Sequence, residues 1–160
     1  MDFAHLSLGS NLGNKLNNIL LAKEIIGRKT GKIVSESSVY KTSPWGTDSD
    51  NFYLNQVIKI ETILTPHELI NKILKIEIEV GRIRTNKKWE DRIIDIDILF
   101  HSDFIIHSDN LILPHPLLHK RKFVLIPLNE IDKNLMHPIL NKSISEILSI
   151  CSDESSVSLY

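Results

Sequence analysis

The chain has 160 residues, 42% of them hydrophobic and 24% charged, which suits one globular domain with a single core. Its 19 basic and 20 acidic residues give a formal net charge of -1, so no global attraction to nucleic acid or anionic lipid is expected. Cys151 is the single cysteine, which excludes an internal disulfide and a cysteine-based zinc site. No signal peptide or membrane span is predicted, so we expect a cytoplasmic enzyme or binding domain over residues 1–160.

In chain order, the apolar pattern predicts strands over residues 3–8, 32–40, 52–61 and 93–100. A helix capped by Asn11 or Asn14 and closed by Gly27 follows the first strand. A second helix begins at residues 65–68, which combine an N-cap threonine, a proline in the first turn and a glutamate three residues after the threonine. Gly81 ends this helix.

The predicted order β-α-β-β-α-β indicates an α+β fold, the ferredoxin-like arrangement with helices on one face of a mainly antiparallel sheet. C-terminal additions are expected: a short strand at 104–106, a turn or helix after residue 113, an apolar element at 123–131, a helix at 143–150 and a polar tail at 152–160. This fold hosts many chemistries, so the function must come from particular residues.

Asp95 and Asp97 are the strongest sign of chemistry. Residues two apart in a strand project from one face, so both carboxylates point the same way. The alternate positions point into the core: Ile94, Ile96, Ile98 and Phe100. Like charges side by side on a strand repel each other, which favours a bound cation, and oxygen ligands suit Mg²⁺. A solvated polar face on a half-exposed strand is the alternative.

A cationic loop precedes this strand. Between Gly81 and Arg92 it carries five basic and two acidic residues, a local charge of +3: Arg82, Arg84, Lys87, Lys88 and Arg92 against Glu90 and Asp91. Beside two aspartates, such a loop predicts a polyphosphate site. Trp89 could stack on a ligand or help to close the loop. Ordinary surface charge is the alternative.

Two further groups of residues suggest ligand contacts. His115 and His119 have the spacing of a zinc-binding pair, but the sequence offers no adjacent glutamate and no third ligand, so we reject zinc. His115 and Arg121 are instead phosphate donors or parts of a basic surface turn. Tyr53 and Asn55 share a strand face, where a flat ring could stack on Tyr53 while Asn55 reads its edge. The alternative is two ordinary surface residues.

The Gly-rich segment 9–14 carries little information by itself. It lacks the Lys-Ser/Thr of a P-loop and the spacing of a dinucleotide-binding fingerprint. A tight turn between the first strand and the first helix is the expected structure.

Taken in order, these motifs resemble the 6-hydroxymethyl-7,8-dihydropterin pyrophosphokinase family from about residue 3 to about residue 147. The resemblance is carried by segments 8–13, 40–46, 52–55, 81–84 with Glu77, 89–98, 114–115 and 121–123. It implies an ATP-dependent diphosphotransferase of folate biosynthesis. The pterin hydroxymethyl oxygen attacks the β-phosphorus of ATP, and AMP is released.

The resemblance also implies residue roles. Asp95 and Asp97 are expected to bind two Mg²⁺ ions and, with Arg82 and Arg92, to be the catalytic residues. The implied ATP-binding residues are Arg82, Arg84, Trp89, Arg92, Ile98, His115 and Arg121. The implied pterin-binding residues are Thr42, Pro44, Trp45, Gly46, Tyr53, Asn55, Trp89 and Phe123, with Tyr53 and Phe123 on the two faces of the ring. ATP and the pterin are the expected ligands, without nucleic acid or membrane, and the chain is expected to be a monomer.

Three positions depart from the family pattern. Pro116 stands where a tyrosine is frequent, Trp45 where a smaller apolar residue is frequent, and Glu90-Asp91 where Gly-Pro is usual. These changes are expected to affect affinity and loop closure more than the reaction. Three other functions stay open: an RNA-binding module, a metal-dependent phosphohydrolase or nuclease, and an Asp-x-Asp glycosyltransferase.

Overall fold

The computed structural model describes residues 1–44, 51–86 and 90–160. The strands are β1 (Asp2–Ser10), β2 (Lys32–Glu36), β3 (Tyr40–Thr42), β4 (Tyr53–Thr62), β5 (Asp95–His101), β6 (Ile106–Ser108), β7 (Leu111–Leu113), β8 (Met136–His137), β9 (Lys142–Ser143) and β10 (Val157–Leu159). The helices are α1 (Lys15–Lys29), α2 (Pro66–Val80), α3 (Lys122–Asp132) and α4 (Ile144–Ile150), with a 3₁₀ turn at Leu118–Lys120.

The main sheet is antiparallel throughout. Its strands lie in the order β10-β3-β4-β1-β5, and β2 also pairs with β4. The strand predicted over 32–40 is therefore two strands. It divides near Ser37, whose N–H donates to the Val57 carbonyl while its hydroxyl accepts from the Val57 N–H. The predicted mixture of helices with a mainly antiparallel sheet is confirmed.

The helix starts follow the sequence closely. Asn14 caps α1 by accepting from the Asn17 N–H at 3.1 Å. Thr65 and Glu68 form a reciprocal capping box at the start of α2. Gly27 does not end α1, which continues to Lys29, because an exposed glycine costs a helix only about 1 kcal/mol.

Helices cover both faces of the sheet, not one as predicted. On one face, α1 and α2 bury a first core that includes Leu6, Ile58 and Ile96. On the opposite face, α3 and α4 bury a second core around Val57 and Leu125. The C-terminal additions are therefore a second layer, and they cover only part of this face.

A bulge in β5 corrects the prediction for Phe100. Leu6 pairs with Ile98, but the register then shifts and His5 pairs with Phe100. The shift turns Phe100 away from Ile98 and into the second core. The carbonyl of Leu99, at this irregularity, accepts the backbone N–H of His115 at 2.9 Å. Bulges commonly redirect side chains near functional sites, and this one anchors a segment that borders a cavity.

Two C-terminal predictions also change. The short strand predicted at 104–106 lies at Ile106–Ser108 and pairs with β7, and the polar tail contains β10, which pairs with β3. The apolar element predicted at 123–131 is a helix, α3. Among the described residues, no helix combines the length and apolar character required to cross a bilayer.

Candidate active site

A cavity of about 300 Å³ opens on the sheet face that carries the second core, beside α3. Strands β1, β3, β4 and β5 contribute to its walls, together with the segment that leads into α3. The lining residues are Ser7, Gly9, Thr42, Ser43, Tyr53, Asn55, Arg92, Asp95, Asp97, His115, Pro116, Leu117, Arg121 and Phe123. Predicted site residues from five segments of the chain thus meet in one cavity, at positions 42, 53–55, 92–97, 115 and 121–123.

Asp95 is held between two arginines at the start of β5. Its Oδ1 accepts from Arg82 Nη1 at 2.7 Å, and its Oδ2 lies 3.0 Å from Arg92 Nη1. The charged loop therefore turns two of its cations toward the carboxylate, which disfavours the interpretation of this loop as ordinary surface charge.

Glu77 of α2 organises these arginines from behind. Its side chain is 2% exposed and accepts from Arg82 Nη1 and Arg84 Nη2, both at 2.5 Å. Glu77 also accepts from the backbone N–H of Ile96 at 2.8 Å, so it joins the end of α2 to β5. Burial raises the pKa of Glu77, and the charge of Arg82 opposes that rise. Glu77 thus fixes the position of the guanidinium that reaches Asp95.

Asp97 lies two residues further along β5, near two other donors. Its Oδ2 is 3.7 Å from His115 Nε2 and 4.0 Å from Arg121 Nη1. Burial, followed by the negative charge of Asp95, raises the pKa of Asp97 to about 7. Its side chain nevertheless remains 35% exposed toward the cavity, so a cation there could reach it and relieve the repulsion.

His115 is oriented as a neutral donor. Its Nδ1 accepts from the backbone N–H of Leu117 at 3.1 Å, which places the ring proton on Nε2, facing Asp97. Burial, followed by the positive charge of Arg121, lowers the pKa of His115 to about 4. At neutral pH the residue therefore offers one N–H to an anion and carries no charge.

The other end of the cavity suits a flat polar ring. Asn55 Nδ2 donates to Thr42 Oγ1 at 2.6 Å, which leaves Asn55 Oδ1 above Gly9. A Cβ atom on Gly9 would lie 2.8 Å from that oxygen, so only glycine leaves the amide in place. Tyr53 and Phe123 are the two aromatic residues of the lining, and they come from β4 and α3.

Some predicted residues lie outside the cavity. Arg82 borders it through Asp95, Arg84 is bound to Glu77, and Pro44 follows the lining residue Ser43. The Ile98 side chain is 3% exposed and packs in the first core on the other face of β5, as the alternation of the strand predicted. Trp45, Gly46 and Trp89 fall outside the described residues.

Residues of β1 and its end were missed. Ser7 and Gly9 line the cavity because they pair with Asp97 and Asp95, so Gly9 belongs to the strand and not to a tight turn. The two-residue alternation used for β5 would have found them if it had been applied to β1. Asn11, the residue after β1, was also missed. It holds the backbone of Arg92, because its Oδ1 accepts from the Arg92 N–H at 2.7 Å.

The donor set fits Mg²⁺. Asp95 and Asp97 offer carboxylate oxygens from one strand face. Burial and then the negative charge of Asp95 raise the pKa of Asp97, and a bound cation would oppose that rise. In the described part of the chain, no cluster of three or more His, Cys, Asp or Glu side chains forms a dedicated metal cage. Mg²⁺ typically binds through one or two carboxylates and completes its shell with water and phosphate oxygens.

The fold and the cavity together define a site for a polyphosphate beside a flat polar ring. One end combines two carboxylates with arginines, and the other combines two aromatic rings with an amide.

A family model described as 7,8-dihydro-6-hydroxymethylpterin-pyrophosphokinase matches residues 5–133. The 2-amino-4-hydroxy-6-hydroxymethyldihydropteridine pyrophosphokinase of Aquifex aeolicus is 43% identical over 146 residues, which cover 91% of this chain and 90% of that protein. The protein of the same name from Haemophilus influenzae is 36% identical and covers 98% of this chain and 97% of its own length. The chain belongs to the 7,8-dihydro-6-hydroxymethylpterin-pyrophosphokinase family.

A solved structure shares the fold. The wild-type HPPK-DHPS protein of Plasmodium falciparum superimposes with a TM-score of 0.75 at 18% identity, over 92% of this chain and 44% of that longer one.

Proposed function

We propose that this chain transfers pyrophosphate from ATP to the hydroxymethyl group of 6-hydroxymethyl-7,8-dihydropterin and releases AMP, as a diphosphotransferase of folate biosynthesis. The observation that carries the proposal is one cavity with two differently built ends, the dicarboxylate with its arginines and the pair of aromatic rings. Relatives named as this enzyme match the chain over nearly their whole length, which supports the same activity here.

The phosphate end binds ATP. Asp95 and Asp97 would hold Mg²⁺, and we propose two ions. When bound, these ions supply the positive charge that neutralises the phosphate oxygens. Arg92 and Arg121 flank the carboxylates and are placed to hold phosphate oxygens through their N–H groups. His115 adds one neutral donor through Nε2.

Arg82 and Arg84 have a more indirect role in the described arrangement. Both are paired with the buried Glu77, and Arg82 also reaches Asp95. We infer that Arg82 contributes to catalysis by fixing Asp95 and that Arg84 contacts ATP only after it leaves Glu77. ATP contacts of Trp89 and Ile98 stay predictions.

The aromatic end binds the pterin. Tyr53 and Phe123 stack on the ring, because both aromatic side chains line the cavity, one from β4 and the other from α3. Asn55 Oδ1 accepts N–H groups from the ring edge because the amide nitrogen is already engaged by Thr42. Pterin contacts of Pro44, Trp45, Gly46 and Trp89 stay predictions.

The chemistry mainly requires positioning and charge neutralisation. The hydroxymethyl oxygen attacks the β-phosphorus, the bond from that phosphorus to the α–β bridging oxygen breaks, and the bridging oxygen leaves with AMP. Asp97 lines the cavity and is one acceptor for the hydroxyl proton.

The proposal extends to the architecture. A ferredoxin-like core is supported by the chain order of β1, α1, β4, α2 and β5 and by the position of β1 between β4 and β5. A single domain over 1–160 is supported by a main sheet that includes strands from both ends of the chain. A monomeric state and a cytoplasmic location stay predictions.

A product assay tests the proposal. The chain is incubated with ATP and Mg²⁺, with and without the pterin alcohol, and AMP is resolved from ADP and phosphate. We expect AMP in proportion to a pterin diphosphate, and only when pterin and Mg²⁺ are both present. Phosphate release without pterin would instead favour a phosphohydrolase.

A further inference from the structure

The C-terminal segment contacts one wall of the cavity through β10. This strand pairs with β3, with Val157 opposite Thr42. The pairing extends at both ends: the N–H of Ser43 donates to the Ser156 carbonyl at 3.2 Å, and the N–H of Tyr160 donates to the Val39 carbonyl at 3.0 Å. Thr42 and Ser43, which β10 holds, both line the cavity.

The same segment contacts the opposite wall through Asp153. Its Oδ2 accepts the backbone N–H of Lys122, the first residue of α3, at 2.8 Å. A carboxylate at this place satisfies a helix N-terminal donor and favours the helix dipole. Arg121 and Phe123, on either side of Lys122, line the cavity.

The position of the short strand β3 depends strongly on its pairing with β10. It has three residues, and it lies between β4 and β10. Thr42, which is 2% exposed, accepts from the Asn55 amide, so a displacement of β3 also displaces the group assigned to the ring edge.

We propose that residues 152–160 form a brace that sets the distance between the β3 wall and the α3 wall of the pterin subsite. The brace makes β10 a positioning element for the acceptor substrate, whereas Asp153 positions Phe123 together with its neighbour Arg121, which is assigned to ATP. The brace lies beyond residues 5–133, the region that the family model matches. The inference rests on the proposed function, because it assigns the ring end of the cavity to the pterin.

Two observations support an ordered and local role. Although burial acts to raise the pKa of Asp153, the N–H groups of Ser155 and Lys122 lower it, as expected for a carboxylate that they hold in place. Independently of the brace, Glu130 of α3 accepts from Ser38 and from the Tyr40 hydroxyl, the latter at 2.6 Å. Loss of the brace is therefore expected to shift the walls without unfolding the sheet.

A proline pair in β10 tests the brace with a matched control. Residues two apart in a strand direct their backbone N–H groups to the same side. The N–H of Ser158 therefore points toward β3, as the N–H of Tyr160 does, whereas the N–H of Leu159 points away from β3. Ser158→Pro removes an N–H that the pairing needs. Leu159→Pro makes the same kind of change, one residue along, without that loss.

The measurement compares the change in KM for the pterin with the change in KM for ATP in each variant. For Ser158→Pro we expect KM for the pterin to rise about fivefold or more, with KM for ATP changed by less than about twofold. For Asp153→Ala we expect KM for the pterin to rise by a similar factor. Leu159→Pro should stay within about twofold of the unmodified chain for both substrates. Asp153→Asn keeps an acceptor oxygen and should recover part of the loss. Melting curves establish that each variant is folded.

The brace is overturned if folded Ser158→Pro and Asp153→Ala keep an unchanged KM for the pterin, or if both substrates weaken equally in Ser158→Pro. If one variant does not fold, the other decides, since they act on opposite walls. If the unmodified chain makes no AMP, the proposed function fails by itself. In that case the brace is tested by direct binding of the pterin, measured from the fluorescence of the pterin. Ser158→Pro should bind it more weakly than Leu159→Pro.

Discussion

Replacement of Gly9 by alanine adds one methyl group at the point where the structure leaves least room. The new Cβ would lie 2.8 Å from Asn55 Oδ1, whereas ordinary contacts between carbon and other heavy atoms begin at about 3.5 Å. The overlap must be relieved by the Asn55 amide. It cannot turn without losing its 2.6 Å hydrogen bond to Thr42.

The expected magnitude follows from that bond. A buried hydrogen bond contributes about 0.5–1.5 kcal/mol net, and a group left unsatisfied costs about 1–3 kcal/mol. We therefore expect Gly9→Ala to weaken pterin binding about tenfold, since about 1.4 kcal/mol corresponds to a factor of ten. ATP binding should change less, because the three atoms nearest to the new Cβ belong to Asn55 and Tyr53 and not to the carboxylates.

The assay is equilibrium binding of each ligand, with Gly27→Ala as the matched control. Among residues 1–44, 51–86 and 90–160, outside the backbone of α1 itself and the two chain neighbours, nothing lies within 4 Å of a Cβ at Gly27. That change should therefore leave binding unaltered and stabilise α1 by about 0.5–1 kcal/mol. Gly9→Ala combined with Asn55→Ala should bind the pterin no worse than Asn55→Ala alone. Unchanged pterin affinity in Gly9→Ala, with Asn55 intact, would refute the assignment of the amide to the ring edge.

Three further changes test other parts of the site. Asp97→Asn should abolish turnover and raise the melting temperature of the metal-free protein at pH 8. The folded-state pKa of Asp97 is raised to about 7, so ionisation of this carboxyl lowers the stability of the folded protein as pH rises from about 4 through 7. Asparagine does not ionise and avoids this loss, so an unchanged or lower melting temperature in the variant would contradict the raised pKa. Tyr53→Ala should weaken pterin binding far more than ATP binding in calorimetric titrations, and equal losses would exclude the stacking role. His115→Ala should raise KM for ATP by a similar factor at pH 6 and pH 8, because the pKa of about 4 keeps the ring neutral at both. If the ratio of KM in the variant to KM in the unmodified chain changed with a midpoint near pH 6.5, the assignment of His115 as a neutral donor would be contradicted.

Features that depend on near neighbours in sequence were predictable. The alternation of β5 placed Asp95 and Asp97 on one face, and the same rule placed Tyr53 and Asn55 together on β4. The capping box of Thr65 and Glu68 located the start of α2. Each of these patterns repeats a short-range steric or hydrogen-bonding rule, which the sequence carries directly.

Features that depend on distant partners were not predictable. The bulge that turns Phe100 into the second core arises from the register between β5 and β1, which neither strand encodes alone. β10 was taken for a polar tail because its short segment has little apolar pattern, and it becomes a strand by pairing with β3. The importance of Gly9 likewise appears only when Asn55 is brought above it.

The departure at Glu90-Asp91 acquires a structural reason. Asp91 accepts from Asn11 Nδ2 at 2.6 Å and from Asn51 Nδ2 at 2.8 Å, and Glu90 accepts from the Thr85 hydroxyl. These bonds tie the end of the charged loop to β1 and to the start of β4, next to Arg92. The acidic pair thus adds fixed contacts to the segment that positions a phosphate-binding arginine.

The most direct test of the account follows the oxygen that bridges the α- and β-phosphorus of ATP. ATP labelled with ¹⁸O at this bridge is converted by the chain in the presence of Mg²⁺ and the pterin alcohol, and ³¹P NMR locates the label. Attack on the β-phosphorus predicts that all of the label is found in AMP. Label in the pterin product, or ADP in place of AMP, would contradict pyrophosphoryl transfer in this cavity.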